Sequence, residues 1–328
     1  MQRLSADFIR VAQGWNDIFF RCIQPYSRLP FDFTFPFRVL FVGAFHALQG
    51  HRIHLGDAAL SSFLVLFRFL GARHMTVTAC GLDVLFPNNF YQWMIRRTLP
   101  YAVKVICISK ATAAHVRRSG VAEEKISILP CGIFFEGLSS FDDPHNVSPS
   151  LITIGRLIPR KGVAWFLSSV FPQLRKKYPG MTYDIVGEGP ERKTIERICR
   201  EYAFGNAVRM HGAVTEKKKA ELLSRADLFV MPNVPIEGDM EGFGTVCIEA
   251  SSRGVPVVAA RLEGIEDAVV EGRTGFFFHP RDGDSCVQAI CRALDAPLDR
   301  QMVFSEAEES FSWEMLSAQW KHVIFSAS

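Results

Sequence analysis

From Leu151 onward, short apolar runs alternate with segments whose apolar residues recur at helical spacing. Leu151–Gly155, Tyr183–Gly187, Val208–Gly212, Leu228–Pro232, Pro256–Ala260 and Gly275–Phe278 are predicted strands. Gly162–Tyr178, Pro190–Tyr202, Thr215–Ser224, Thr245–Arg253 and Asp284–Leu294 are predicted helices between or after them. Strands separated by helices pair in parallel through right-handed crossovers. Helices then cover both faces, which explains why these strands are apolar throughout rather than alternating. The pattern predicts a doubly wound α/β sheet.

The first half shows a shorter version of the same alternation. His51–Gly56, Met75–Gly81, Val105–Ser109 and Lys125–Pro130 are predicted strands; Ala58–Leu70, Tyr91–Leu99 and Lys110–Ser119 are predicted helices. Phe31, Phe33, Phe35 and Phe37 alternate as on a one-faced strand, and Phe41 and Phe45 continue at helical spacing. Residues 136–149, polar and proline-bearing, are the predicted interdomain linker. Trp313, Leu316, Trp320 and Ile324 predict a last helix over Phe311–Phe325. The expected domains are therefore residues 1–140, of which 1–50 form a divergent aromatic segment, residues 150–310, and a terminal helix over 311–328.

The 328 residues suffice for two ordinary domains. A net charge of +3 gives no footprint for nucleic acid, which is excluded as a partner. The eight cysteines form no C-x-x-C pair, and no cysteine–histidine cluster has metal-ligand spacing. They are read as reduced thiols of a cytoplasmic protein, and no metal is expected. The first ten residues lack the apolar core of a secretory signal, and no uncharged apolar run reaches membrane-spanning length. The 28 phenylalanines leave two readings of the N-terminal cluster: buried core, or an interfacial segment resting on a membrane surface.

The chemistry concentrates in Glu241-Gly-Phe-Gly-Thr-Val-Cys-Ile-Glu249. Eight residues span a little over two helical turns, so Glu249 can sit on a helix starting near Phe243 or Gly244, with Glu241 just before it. The free N–H groups of that helix start suit an anion. Arg156 and Lys161 follow the Leu151–Gly155 strand, where ligands bind beyond the carboxyl ends of parallel strands.

These segments resemble the nucleotide-sugar site of retaining glycosyltransferases with two Rossmann-like domains, the family-four group. Gly155-Arg-Leu-Ile-Pro-Arg-Lys-Gly162 is similar to that family's G-R-L-x-x-x-K-G loop. Ile185–Pro190, Met210–Val214, Ala226–Pro232, Gly254–Val258 and Gly272–Phe276 follow in the family's order. Similarity runs from about residue 75 to residue 293, and the first 74 residues match poorly. The resemblance implies two Rossmann-like domains facing a cleft, the GT-B arrangement, with an incomplete or divergent N-terminal domain.

It also implies roles. Arg156 and Lys161 would neutralise the leaving diphosphate, with Arg160 left exposed. Glu241 would contact the donor sugar and Glu249 the ribose hydroxyls. Phe243, Gly244 and Thr245 would offer backbone N–H groups, Gly187 would let the donor approach, and Val214 would meet the base or simply end a strand. Thr78-Ala-Cys-Gly-Leu-Asp83 resembles the family's T-x-H-G-x-D, with Cys80 in the place of the histidine that points at the donor sugar. Asp83 would contact acceptor or donor, or cap a turn. Ser109 is read as a helix cap. No strand–G-G-x-G–helix unit occurs before residue 50.

The expectation is transfer of a sugar, with retention, from a nucleotide diphosphate sugar to a glycan or lipid-linked acceptor hydroxyl in cell-surface polysaccharide or glycolipid synthesis, without a cofactor. It would occur in the cytoplasm, with peripheral contact at the inner face of the membrane as one reading of the aromatic segment. The alternative is a catalytically impaired nucleotide-sugar-binding partner subunit.

Overall fold

The computed structural model describes residues 2–15, 22–23, 34–135 and 148–326. It divides into two compact units, one of Met1–Phe134 with Trp313–Ser328, the other of Phe135–Ser312. Residues 136–147 of the expected linker, and Phe31 and Phe33, lie outside the described residues.

Among the described residues the first unit holds four parallel strands in chain order: β1 (Ile53–Leu55), β2 (Met75–Ala79), β3 (Lys104–Cys107) and β4 (Ile126–Ile128). Right-handed crossovers that always advance in one direction place their helices on one face. Alternation along β3 follows: Val105 and Cys107 enter the core on the crossover side, and Ile106 enters a second core. That second core is built from the chain's two ends. Phe8, Ala12 and Trp15 pack with Trp313, Leu316, Trp320 and Ile324. The indole N–H of Trp15 donates to Ser317 Oγ at 2.9 Å, and that of Trp320 to the Pro130 carbonyl at 3.2 Å. Helices Gln2–Gln13 and Trp313–Ser326 thus cover the face that crossovers in a single direction leave bare.

Two local expectations change here. Residues 35–48 form one helix, not the end of a strand. Pro36 sits in its first turn, where the missing N–H costs nothing. The predicted helix Ala58–Leu70 divides into a tight turn at Ala58–Ser61 and a helix at Ser62–Phe69.

The described residues of the second unit hold six parallel strands: β5 (Ser150–Ile154), β6 (Thr182–Val186), β7 (Val208–Gly212), β8 (Leu228–Met231), β9 (Val257–Ala260) and β10 (Gly275–Phe278). Their order is β10-β9-β8-β5-β6-β7. The chain starts in the middle, winds outward to β7, then returns to β8 on the other side of β5. This reversal makes the β5–β8 boundary the topological switch point, where the loops leave in opposite directions and open a crevice. Gly162–Tyr178 forms two helices, Val163–Ser169 and Phe171–Lys177. Pro172 accounts for the break, because it has no N–H for a continuing helical bond. A helix at Arg300–Phe311 had no counterpart among the expected elements.

Candidate functional site

At the switch point the loop after β5 meets the loop after β8. The first runs through Arg156, turns at Pro159–Lys161 and enters a helix through Gly162 at φ 66°. A side chain on Gly162 would stand 1.9 Å from the Pro232 carbonyl oxygen, so only glycine lets the two loops approach. The approach brings Glu241 onto Arg160 and Lys161. Arg160 Nη1 and Lys161 Nζ each lie 2.5 Å from Glu241 Oε2, and Asn233 Nδ2 donates to the same oxygen at 3.2 Å. Arg160 Nε lies 3.0 Å from Asp239 Oδ1.

Arg160 is therefore buried, at 4% exposure, and not the exposed spare charge expected from the sequence. The reason is long-range. Two carboxylates from the loop after β8 surround it, and a buried guanidinium needs such partners. Burial opposes ionisation of Glu241, but Lys161 and Arg160 outweigh it and bring its pKa down to about 2. Burial likewise opposes the charge on Arg160, and Glu241 and Asp239 more than restore it. Arg156 stays exposed and makes no ion pair among the described residues.

A residue that the sequence did not single out fixes the Glu241 loop. Glu263 Oε2 accepts the Glu241 backbone N–H at 2.5 Å, and Gly264 N–H donates to the Glu241 carbonyl at 3.1 Å. Glu263 adopts φ 52°, a left-handed conformation uncommon for a side-chain-bearing residue. Burial pushes its carboxyl up. A side chain on Gly264 would stand 2.0 Å from the Gly242 carbonyl oxygen, which explains the glycine.

Glu249 lies on the helix Thr245–Ser251, shorter than the expected Thr245–Arg253, and is buried. Its Oε2 lies 2.9 Å from Lys219 Nζ, and Lys219 also pairs with Glu216 at 2.7 Å. Gly244 caps that helix at φ 73°, a conformation that favours glycine. The Phe243 ring is buried and meets Phe311 edge-on at 6.1 Å, so only its backbone is available to a ligand. Thr245 and Val214 are half-buried, and Val214 follows β7 beyond Gly212. A side chain on Gly187 would stand 1.9 Å from the Gly155 carbonyl oxygen. Gly187 is thus accounted for by loop–loop packing at the ends of β5 and β6.

In the first unit, Asp83 turns inward. Its carboxylate accepts N–H groups from Ala58 at 3.0 Å and Cys80 at 2.8 Å, tying the turn after β1 to the turn after β2. Burial, helped by nearby Asp57, raises its pKa to about 7. That carboxylate serves backbone, which is the turn-capping alternative of its two expected roles. Cys80 is half-buried, and burial followed by Asp83 pushes its thiol well up, so it stays protonated. Ser109 caps its helix by accepting the Thr112 N–H at 3.1 Å. His54 lies in β1 and is pushed by burial down to about 4, while His51 falls outside the strand. Among the described residues no cluster of His, Cys, Asp and Glu is placed to hold a metal ion.

A family model described as Glycosyltransferase Family 4 matches residues 18–136, and one described as Glycosyl transferases group 1 matches residues 148–296. The chain belongs to this family-four, group-one class of glycosyltransferases. It is 30% identical over 188 residues to a Mycobacterium tuberculosis glycogen synthase, covering 56% of this chain and 44% of that protein. It is 25% identical over 264 residues to the gpi3 subunit of Schizosaccharomyces pombe phosphatidylinositol N-acetylglucosaminyltransferase, covering 77% of this chain and 56% of that one. The chain thus spans about half the length of these curated relatives. Its fold matches Anabaena HepE in complex with UDP, with a TM-score of 0.73 and 17% identity over 88% of this chain and 82% of that one. The GT-B class of two Rossmann-like domains is the fold of this chain.

Proposed function

We propose that this protein transfers a sugar from a nucleotide diphosphate sugar to an acceptor hydroxyl, with retention at the anomeric carbon. One observation carries the reading: Glu241 is held by Lys161 and Arg160 at the switch point of the second sheet, eight residues before the buried Glu249. Carboxylates brought to the carboxyl ends of parallel strands suit the hydroxyls of a bound sugar and ribose.

In the reaction, the anomeric C–O bond to the diphosphate breaks and its electron pair leaves with the diphosphate. The acceptor oxygen forms the new bond, and the acceptor proton passes to the departing phosphate. Lys161 and the exposed Arg156 supply positive charge where negative charge develops. The N–H groups at the start of Thr245–Ser251, which have no partner inside the helix, add donors. Glu241 meets the reacting sugar and Glu249 the ribose. The related glycogen synthase and phosphatidylinositol-modifying subunit support a glycan or lipid-linked acceptor. We place the reaction in the cytoplasm, in polysaccharide or glycolipid assembly, with peripheral membrane contact. Among the described residues no helix is long and apolar enough to cross a membrane.

The inward Asp83 and the protonated Cys80 favour one alternative, a donor-binding subunit without turnover. Incubation with nucleotide sugars and an acceptor mixture separates the two. Release of nucleoside diphosphate with a new glycoside is expected. Donor binding without release in any mixture would leave the subunit reading.

A further inference from the structure

The first unit exposes aromatic side chains on three neighbouring helices. On Phe35–Leu48, residues Phe37, Phe41, Phe45 and Leu48 recur at spacings of four, four and three, which is one helix face, and all are exposed, Phe41 at 70%. The opposite face is committed to the core. Val39 and Ala47 are buried, and a side chain on Gly43 would stand 2.2 Å from the Phe67 ring. Helix Ser62–Phe69, which supplies Phe67, packs against Phe35–Leu48 on one side and Asn89–Thr98 on the other. It exposes Phe69 at 85%, while Asn89–Thr98 exposes Phe90 and Trp93, stacked at 5.8 Å.

The charges on these helices have one sign. Arg38, Arg68, Arg96 and Arg97 are their only charged residues of the Lys, Arg, Asp and Glu types. Arg68, Arg96 and Arg97 are exposed and make no ion pair among the described residues. So much exposed aromatic surface marks an interaction site. A second copy of the same surface would bring arginine against arginine, which opposes self-association. An anionic bilayer meets both demands: aromatic rings enter the headgroup region and guanidinium groups meet lipid phosphates.

We propose that the exposed face of helices Phe35–Leu48, Ser62–Phe69 and Asn89–Thr98 docks on an anionic lipid surface. This deepens the membrane contact in the functional reading, and it is measured without donor or turnover, so failure of either leaves the other readable. The full chain is co-sedimented with phosphatidylcholine vesicles and with vesicles that also contain phosphatidylglycerol. Wild type should bind the anionic vesicles at least about tenfold more tightly than the neutral ones, less so at high salt. Phe41→Ser with Phe45→Ser should weaken that binding about tenfold. Arg96→Glu with Arg97→Glu should weaken it by more than about tenfold. All altered side chains are exposed, so circular dichroism should show native folding. The proposal is overturned if no vesicle is bound, or if both folded variants bind like wild type. It is equally overturned if the phenylalanine variant abolishes a concentration-dependent dimer instead.

Discussion

Arg160 lies 2.5 Å from Glu241 across the switch point of the six-stranded sheet, and it is the buried member of the pair. It takes a second carboxylate, Asp239, at 3.0 Å. Arg160 thus holds the loop after β8 against the loop after β5, while its neighbour Lys161 shares Glu241 and remains partly accessible. Replacing Arg160 by alanine leaves Asp239 and Glu241 close together with a single cation. A loss of about 3 kcal/mol in unfolding free energy is expected. Urea denaturation reads it, and a change below about 0.5 kcal/mol would mean that the pair does not hold the loop.

Glu263 offers a finer test of the same loop. Its left-handed backbone is strained, and its carboxylate holds the Glu241 N–H. Glu263→Ala loses the hydrogen bond and keeps the strain. Glu263→Gly loses the bond but removes the strain, so it should be about 1 kcal/mol less destabilising. Equal destabilisation of the two variants by thermal melting would remove strain from the account.

The two glutamates of the candidate site should separate in binding experiments. Glu249→Ala removes the proposed ribose acceptor and should weaken binding of free nucleoside diphosphate about tenfold to hundredfold. Glu241→Ala should lower turnover more than nucleotide affinity, because its proposed partner is the reacting sugar. Calorimetric titration with nucleoside diphosphate supplies the control. An equal loss of affinity in both variants would contradict the division of roles.

Two carboxyls give opposite pH dependences. Glu241 is held at about 2, below its ordinary value near 4.5. Its contribution to stability is present above pH 4.5 and lost as pH falls towards 2. Asp83 is held at about 7, above its ordinary value near 3.8. Its contribution is present below about pH 4 and lost as pH rises through 7. Wild type should therefore lose stability between pH 4 and 7 through Asp83, and Asp83→Asn, which cannot ionise, should flatten that slope. Chemical denaturation across this range checks it; an unchanged slope in Asp83→Asn would place the titration elsewhere.

The second unit was the more legible in the sequence, because doubly covered strands are short, uniformly apolar and punctuated by glycine. Glu241, Glu249 and Gly244 were legible for a local reason, their spacing around one helix start, and Lys161 for another, its place in the loop that follows a predicted strand. What escaped was pairing over long separations. Arg160 resembles any basic loop residue until Asp239 and Glu241 arrive 79 and 81 positions later. Glu263 and Lys219 sit outside any recognisable spacing, yet they hold the backbone of Glu241 and the side chain of Glu249. The stretch from Phe35 misled because Phe35 and Phe37 alternate as on a strand, while the helix face they join shows only in the spacing of Phe37, Phe41 and Phe45. Pro36 at a first helical turn is the signal that could have separated the two.

The proposed activity requires a nucleotide sugar bound at the switch point by Lys161 and Glu249. Thermal unfolding of wild type, Lys161→Ala and Glu249→Ala against a panel of nucleotide sugars and nucleoside diphosphates tests this most directly. At least one nucleotide should raise the wild-type midpoint by mass action, and both variants should largely lose that rise. No stabilisation by any member of the panel, or a rise that survives in both variants, would contradict it.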